Sequence, residues 1–161
     1  MRNRQHLNCF VMNARGLTLI ELTVTITIMT ILALGIMPLS KIGHKRSKEM
    51  ELRRNLRTIR NALDEYKKLA DEKKIPTEAD ASGYPKELSI LVTGADLQGP
   101  VPMKKKFLRR IPEDPMSEDG EWGLRSYADD PDSEIWGGQD VYDIYSRSRE
   151  QALDGSYYRD W

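Results

Sequence analysis

Gly16 and Glu21, five positions apart at the head of an apolar run, are the residues whose types and spacing most clearly offer chemistry in this sequence. A carboxylate at the centre of a membrane helix costs about 2.5–3.5 kcal/mol on insertion scales, and less near an interface. Glu21 therefore calls for a compensating positive charge, which a newly exposed α-amino group could supply. The alternative is a helix-end carboxylate that snorkels to water. Neither reading involves turnover of a substrate. The two histidines, His6 and His44, sit on either side of the apolar run, so no Ser, His and Asp triad and no histidine metal site is available beyond residue 44. Trp136-Gly137-Gly138 lacks the lysine and spacing of a phosphate loop. The paired acids Glu113-Asp114 and Asp129-Asp130 read as surface solvation, and Asp129 to Glu134 reads as a solvated turn, with Ile135 standing where an EF-hand loop needs glycine. The chain is expected not to be an enzyme.

The element that must position Glu21 is hydrophobic. Leu22 to Ser40 is 19 residues without a charge, about 28 Å as a helix, close to the ~30 Å of a bilayer core. Arg2, Arg4 and Arg15 precede it with no acid before Glu21, which keeps the N-terminal end on the cytoplasmic side and sends the bulk of the chain outward. Hydropathy alone leaves a secretory signal, an uncleaved anchor and a processed subunit open. The small residue lies before the apolar run and not after it, unlike a cleaved secretory signal. Pro38, with Gly35 and Gly43 nearby, marks an expected helix bend.

Beyond Ser40 the pattern changes. Apolar residues recur at Leu52, Leu56, Ile59, Leu63, Tyr66 and Leu69 with steps of three and four, which is one face of a helix. Lys41, Lys45, Arg46, Lys48, Arg53, Arg54, Arg57, Arg60, Lys67 and Lys68 make this stretch basic, whereas residues 71–161 are net acidic, with 20 acidic against 12 basic residues. A basic run of this kind reads as a solvated face near anionic headgroups, or as a surface that meets acidic heads. The chain as a whole balances 25 Lys and Arg against 25 Asp and Glu, so no nucleic-acid partner is implied. Much of the 39% hydrophobic content lies between Leu17 and Met37, leaving the remainder a small core. Gly83-Tyr84-Pro85 ends a polar loop, a short helical turn follows through Leu88 to Val92, and Pro100 and Pro102 break the chain. Trp122–Tyr127 and Val141–Ser146 are β-prone. The fold class expected is α+β: one long N-terminal helix packed on a small antiparallel sheet, with the Leu56, Ile59, Leu63 and Tyr66 face lent to the sheet. Tyr157 to Trp161 is expected to fold back and seal the head.

Arg15-Gly16-Leu17-Thr18-Leu19-Ile20-Glu21 before an apolar helix resembles the class III signal of type IV pilins and type II secretion pseudopilins. Three later segments, Gly83-Tyr84-Pro85, Arg110-Ile111-Pro112-Glu113-Asp114-Pro115 and Asp143-Ile144-Tyr145-Ser146, resemble the major pseudopilin of type II secretion. The resemblance implies a pilin-like organisation: a leader at 1–16, a transmembrane helix at 17–40, an amphipathic neck at 41–70 and a periplasmic head at 71–161. It implies that prepilin peptidase cleaves after Gly16 and methylates Leu17, where leucine replaces the usual phenylalanine. Cys9 would leave with the leader, and Met12 is a second possible start. Glu21 would neutralise the amino terminus of a neighbouring subunit as it leaves the inner membrane for a periplasmic filament. Implied partners are further copies of the chain, minor pseudopilins and an inner-membrane assembly platform with a cytoplasmic ATPase. The rivals are a type IV pilus subunit, whose frequent C-terminal disulfide this mature chain could not form, a tip-forming minor pseudopilin, and a bitopic anchor that keeps Cys9. Major pseudopilins also bind calcium in a C-terminal loop, which points to Glu150, Asp154 and Asp160, although Arg147, Arg149 and Arg159 interrupt them.

Overall fold

A computed structural model describes residues 16–78, 80–100 and 103–161, with the side chains of residues 35–40 left aside. The leader expected at 1–16, with Cys9, Met12 and the three arginines, therefore lies outside the described residues apart from Gly16. Helix α1 runs over Leu19–Asp71, and the chain divides into two compact units, residues 1–41 and 42–161.

In the first unit the helix begins where a side chain can cap it. The Glu21 N–H donates to Thr18 Oγ1 at 3.3 Å and the Leu22 N–H to the Thr18 carbonyl at 3.1 Å, so Thr18 serves as N-cap and Leu17 stays outside the helix. The described apolar side chains, Leu19 to Leu34, are exposed on every face. Among the described residues no helix is long and apolar enough to cross a membrane. Residues 19–34 span roughly 24 Å at the helical rise, short of a bilayer core, and the side chains that complete the charge-free stretch, 35–40, are not among those described. The bend expected at Pro38 falls on the same set; the helical assignment continues through that position.

In the second unit the neck stripe is the core. Leu52, Leu56, Ile59, Leu63 and Tyr66 are buried, Leu69 packs beside them, and Ala62 joins from the adjoining position. Helix α2, Ser89–Thr93, buries Leu91, whose carbonyl accepts the N–H groups of Phe107 and Leu108 at 2.9 Å each. The expected strands are present but shorter: β3, Trp122–Arg125, pairs antiparallel with β4, Asp143–Ser146, in the register Trp122↔Ser146 to Arg125↔Asp143. Gly123 lies opposite Tyr145, and a Cβ there would fall inside the tyrosine ring, so the glycine makes room for the aromatic side chain of its partner strand. A second pair, β1 at Ala95–Leu97 with β2 at Met103–Lys105, flanks the proline segment that sequence reading treats only as a break. The single small sheet expected is thus two two-stranded sheets among the described residues. Trp122, Val141, Ile144, Ala152 and Tyr158 close the core against α1.

Candidate functional site: the N-terminal signal and the C-terminal loop

Gly16 and Leu17 precede the helix, Leu17 is exposed, and nothing lies within 4 Å of the position a Gly16 Cβ would occupy. The bond between them is open to an approaching enzyme among the described residues. Glu21 follows in the first helical turn, where the unsatisfied N–H groups favour a negative side chain. Thr18 is the functional residue that sequence reading passes over. Its signal is the Thr-x-x-Glu spacing of a capping box, of which the Thr18 half is formed. The threonines of the apolar run are also accounted for. The hydroxyls of Thr23, Thr25, Thr27 and Thr30 donate to the carbonyls of Ile20, Leu22, Thr23 and Ile26 at 2.7–2.9 Å. Each polar hydroxyl is satisfied within its own helix, so the helix can enter an apolar environment without orphaned donors.

The C-terminal loop is held to α1 by three side chains at successive helical turns. Lys45 Nζ donates to the Gln151 carbonyl at 2.6 Å. Glu49 Oε1 accepts the Leu153 N–H at 2.8 Å and the Tyr158 hydroxyl at 2.9 Å. Arg53 pairs with Asp154 at 3.2 Å and stacks on the Trp161 ring at 3.9 Å. Tyr158 is fully buried in the 3₁₀ turn Tyr158–Asp160, so the aromatic terminus does fold back. Burial first, and then the Glu49 carboxylate, push the Tyr158 hydroxyl well above the usual tyrosine range. The Ser156 hydroxyl and N–H, followed by Arg53, hold the Asp154 carboxyl below the usual range.

Glu150, Asp154 and Asp160 do not form one ligand set. Asp154 is committed to Ser156 and Arg53, and Asp160 lies 3.8 Å from the Arg159 guanidinium. Among the described residues no group of three or more His, Cys, Asp or Glu is placed to hold a metal ion. Calcium usually takes six to eight oxygens, and the Asp154 carboxylate is engaged by Arg53 and Ser156 instead.

A long N-terminal helix with an acid in its first turn, followed by small antiparallel sheets, defines an α+β protein consistent with a pilin-like fold. The family model of the prokaryotic N-terminal methylation motif matches residues 11–37, so the chain carries the type IV pilin-like signal, that of a protein processed by prepilin peptidase. No curated protein and no solved structure matches the chain.

Proposed function

We propose that this chain is the major subunit of a type II secretion pseudopilus. It is inserted once through the bacterial inner membrane, cut after Gly16, methylated on Leu17 and polymerised with its head in the periplasm. The observation that carries the reading is the methylation motif over residues 11–37, with Glu21 in the turn that follows the exposed Gly16–Leu17 bond. The pseudopilus, as distinct from an adhesive or motile pilus, is favoured by Gly83-Tyr84-Pro85, Arg110 to Pro115 and Asp143 to Ser146. In this role the protein performs no catalysis. A cytoplasmic ATPase supplies the energy, and copies added at the membrane push or gate folded exoproteins outward.

Mass measurement of the membrane-extracted chain tests the first step. The expected species begins at Leu17 and carries a methyl group; a full-length chain in cells with active prepilin peptidase overturns the reading. Glu21→Ala tests the second step, and is expected to be processed and inserted normally yet to yield about tenfold less filament, because an unpaired amine is then left in lipid. Wild-type filament yield from that variant removes the pairing role. Loss of exoprotein secretion without loss of surface pili on deletion separates the pseudopilus from the pilus.

A further inference from the structure

Two exposed surfaces of the 42–161 unit have complementary chemistry. The first is an open groove of about 460 Å3 lined by Arg53, Leu56, Arg57, Arg60, Asn61 and Trp161. Arg60 is occupied by Asp143, at 2.7 and 3.1 Å, and Arg53 by Asp154. Arg57 is exposed and, among the described residues, has no carboxylate within ion-pair distance. The groove therefore offers an uncommitted guanidinium beside an apolar wall made by the Trp161 ring and Leu56.

The second surface is the acidic loop after β3. It is internally bonded: Asp129 Oδ2 accepts the N–H groups of Ser126 at 2.7 Å and Gly137 at 3.0 Å, tying together the two ends of the loop. The Ser133 hydroxyl accepts the Ile135 N–H at 3.2 Å and donates to the Ile135 carbonyl at 2.8 Å. Trp136 Nε1 donates to the Asp140 carbonyl at 2.7 Å. The frame holds out Asp130 and Asp132, both exposed and without an ion-pair partner among the described residues, next to Ile135, which is 81% exposed. A loop already ordered in its presenting shape gives up little entropy on docking.

We propose that Asp130, Asp132 and Ile135 of one copy dock into the Arg57 groove of a second copy, the carboxylates meeting Arg57 and the isoleucine lying against the Trp161 wall. Groove and loop are different surfaces, so the contact is heterologous, the kind that builds an open filament when its rotation does not close into a ring. The inference rests on the polymerisation reading above and adds the residues through which neighbouring heads meet.

The residues that remain after cleavage at Gly16 contain no cysteine, since Cys9 is the single one in the sequence. Site-specific cross-linking of the full chain in whole cells is therefore clean on the processed form. An arginine–carboxylate pair holds its Cα atoms further apart than a disulfide allows, so a short bismaleimide is the probe. Co-expressed Arg57→Cys and Asp130→Cys chains are expected to give a cross-linked dimer that neither gives alone, and the double variant in one chain a ladder. In parallel, an amine-reactive reagent on the unmodified chain reports whether it polymerises at all. An amine ladder without any 57–130 product overturns the docking and leaves the polymer standing; absence of both overturns both. Charge exchange gives the second arm. Arg57→Asp and Asp130→Arg are each expected to lower the amine ladder ~10-fold, and their combination to restore it to within ~3-fold. Failure of the combination to restore it also overturns the proposal, as does capture of Asp130→Cys by other polypeptides in place of the Arg57→Cys chain.

Discussion

Asp114 shows how one residue can be misread from its neighbour. In the sequence, Glu113-Asp114 is a pair of adjacent acids between two prolines and reads as surface solvation. The structure separates them: Glu113 is exposed, whereas Asp114 is 2% exposed and accepts the Ser146 hydroxyl at 2.6 Å and the Met116 N–H at 2.9 Å. Its own N–H donates to the Gly120 carbonyl at 2.9 Å, and the preceding Glu113 carbonyl accepts Asn55 from α1 at 3.0 Å. The motif from Arg110 to Pro115 is thus the clamp that ties the loop before β3 to β4 and to the neck. Replacing Asp114 by alanine leaves the buried Ser146 hydroxyl and the half-buried Met116 N–H without this acceptor, the buried one costing on the order of 1–3 kcal/mol. Asp114→Ala is therefore expected to lower the urea midpoint in detergent markedly, while Glu113→Ala stays within about 0.5 kcal/mol of wild type. Equal effects of the two substitutions would mean that the buried bonds do not stabilise the fold.

Among the elements, the C-terminal loop depends on groups far away in sequence. Glu49 lies 104 residues from Leu153 and 109 from Tyr158, and as one acid on a basic helix it gives no sign of that task. The neck stripe was legible because burial at three- and four-residue steps is written into side-chain type, and β3 and β4 because aromatic and branched residues alternate. The pair β1 and β2 was not legible: its three-residue strands carry Asp96, Lys104 and Lys105, and what ties them down, Ala95 and Leu97 on the core and Lys105 on Glu65 of α1 at 2.6 Å, is distant in sequence. At the signal, the spacing of Gly16, Leu17 and Glu21 before an apolar run is visible in the sequence, whereas the pairing of Asp154 with Arg53 of α1, 101 residues away, is not. The latch has its own pH dependence. Tyr158 has a raised folded-state pKa, so its contribution is complete below the ordinary tyrosine value of about 10 and is lost as pH climbs toward the higher folded-state value. Asp154 has a lowered one, so its contribution is present above the ordinary aspartate value of about 4 and is lost as pH falls below it. Limited proteolysis after residue 147 is expected to be slow at neutral pH, to quicken at both extremes, and to be unmoved by calcium or a chelator at neutral pH. Glu49→Gln, which removes the charge but keeps an acceptor, should quicken cleavage less than Glu49→Ala; strong protection by calcium would contradict a latch made of protein groups.

At the scale of the molecule, residues 42–161 have one core, and α1 supplies its largest share. Two-stranded sheets are marginal in water by themselves, and here β3 and β4 bury Trp122 and Ile144 against Leu52, Leu56, Ile59 and Leu63. Arg60 adds a second tie from the same helix, holding Asp143 of β4 by two bonds and the carbonyl of Ile144 at 3.2 Å. The sheets therefore have no stable fold without the helix, and the helix, whose stripe would otherwise face water, has none without the sheets. Ile59 is fully buried at the centre of this contact, and Ile59→Ala removes apolar volume from both sides at once, at a cost of about 2–5 kcal/mol. If the unit is cooperative, hydrogen exchange in that variant should quicken together at residues 52–66, 122–125 and 143–146, because one opening exposes them all. Exchange that quickens in the helix while β3 and β4 keep their wild-type protection would show the sheets standing alone, and the head and neck would then be separable parts.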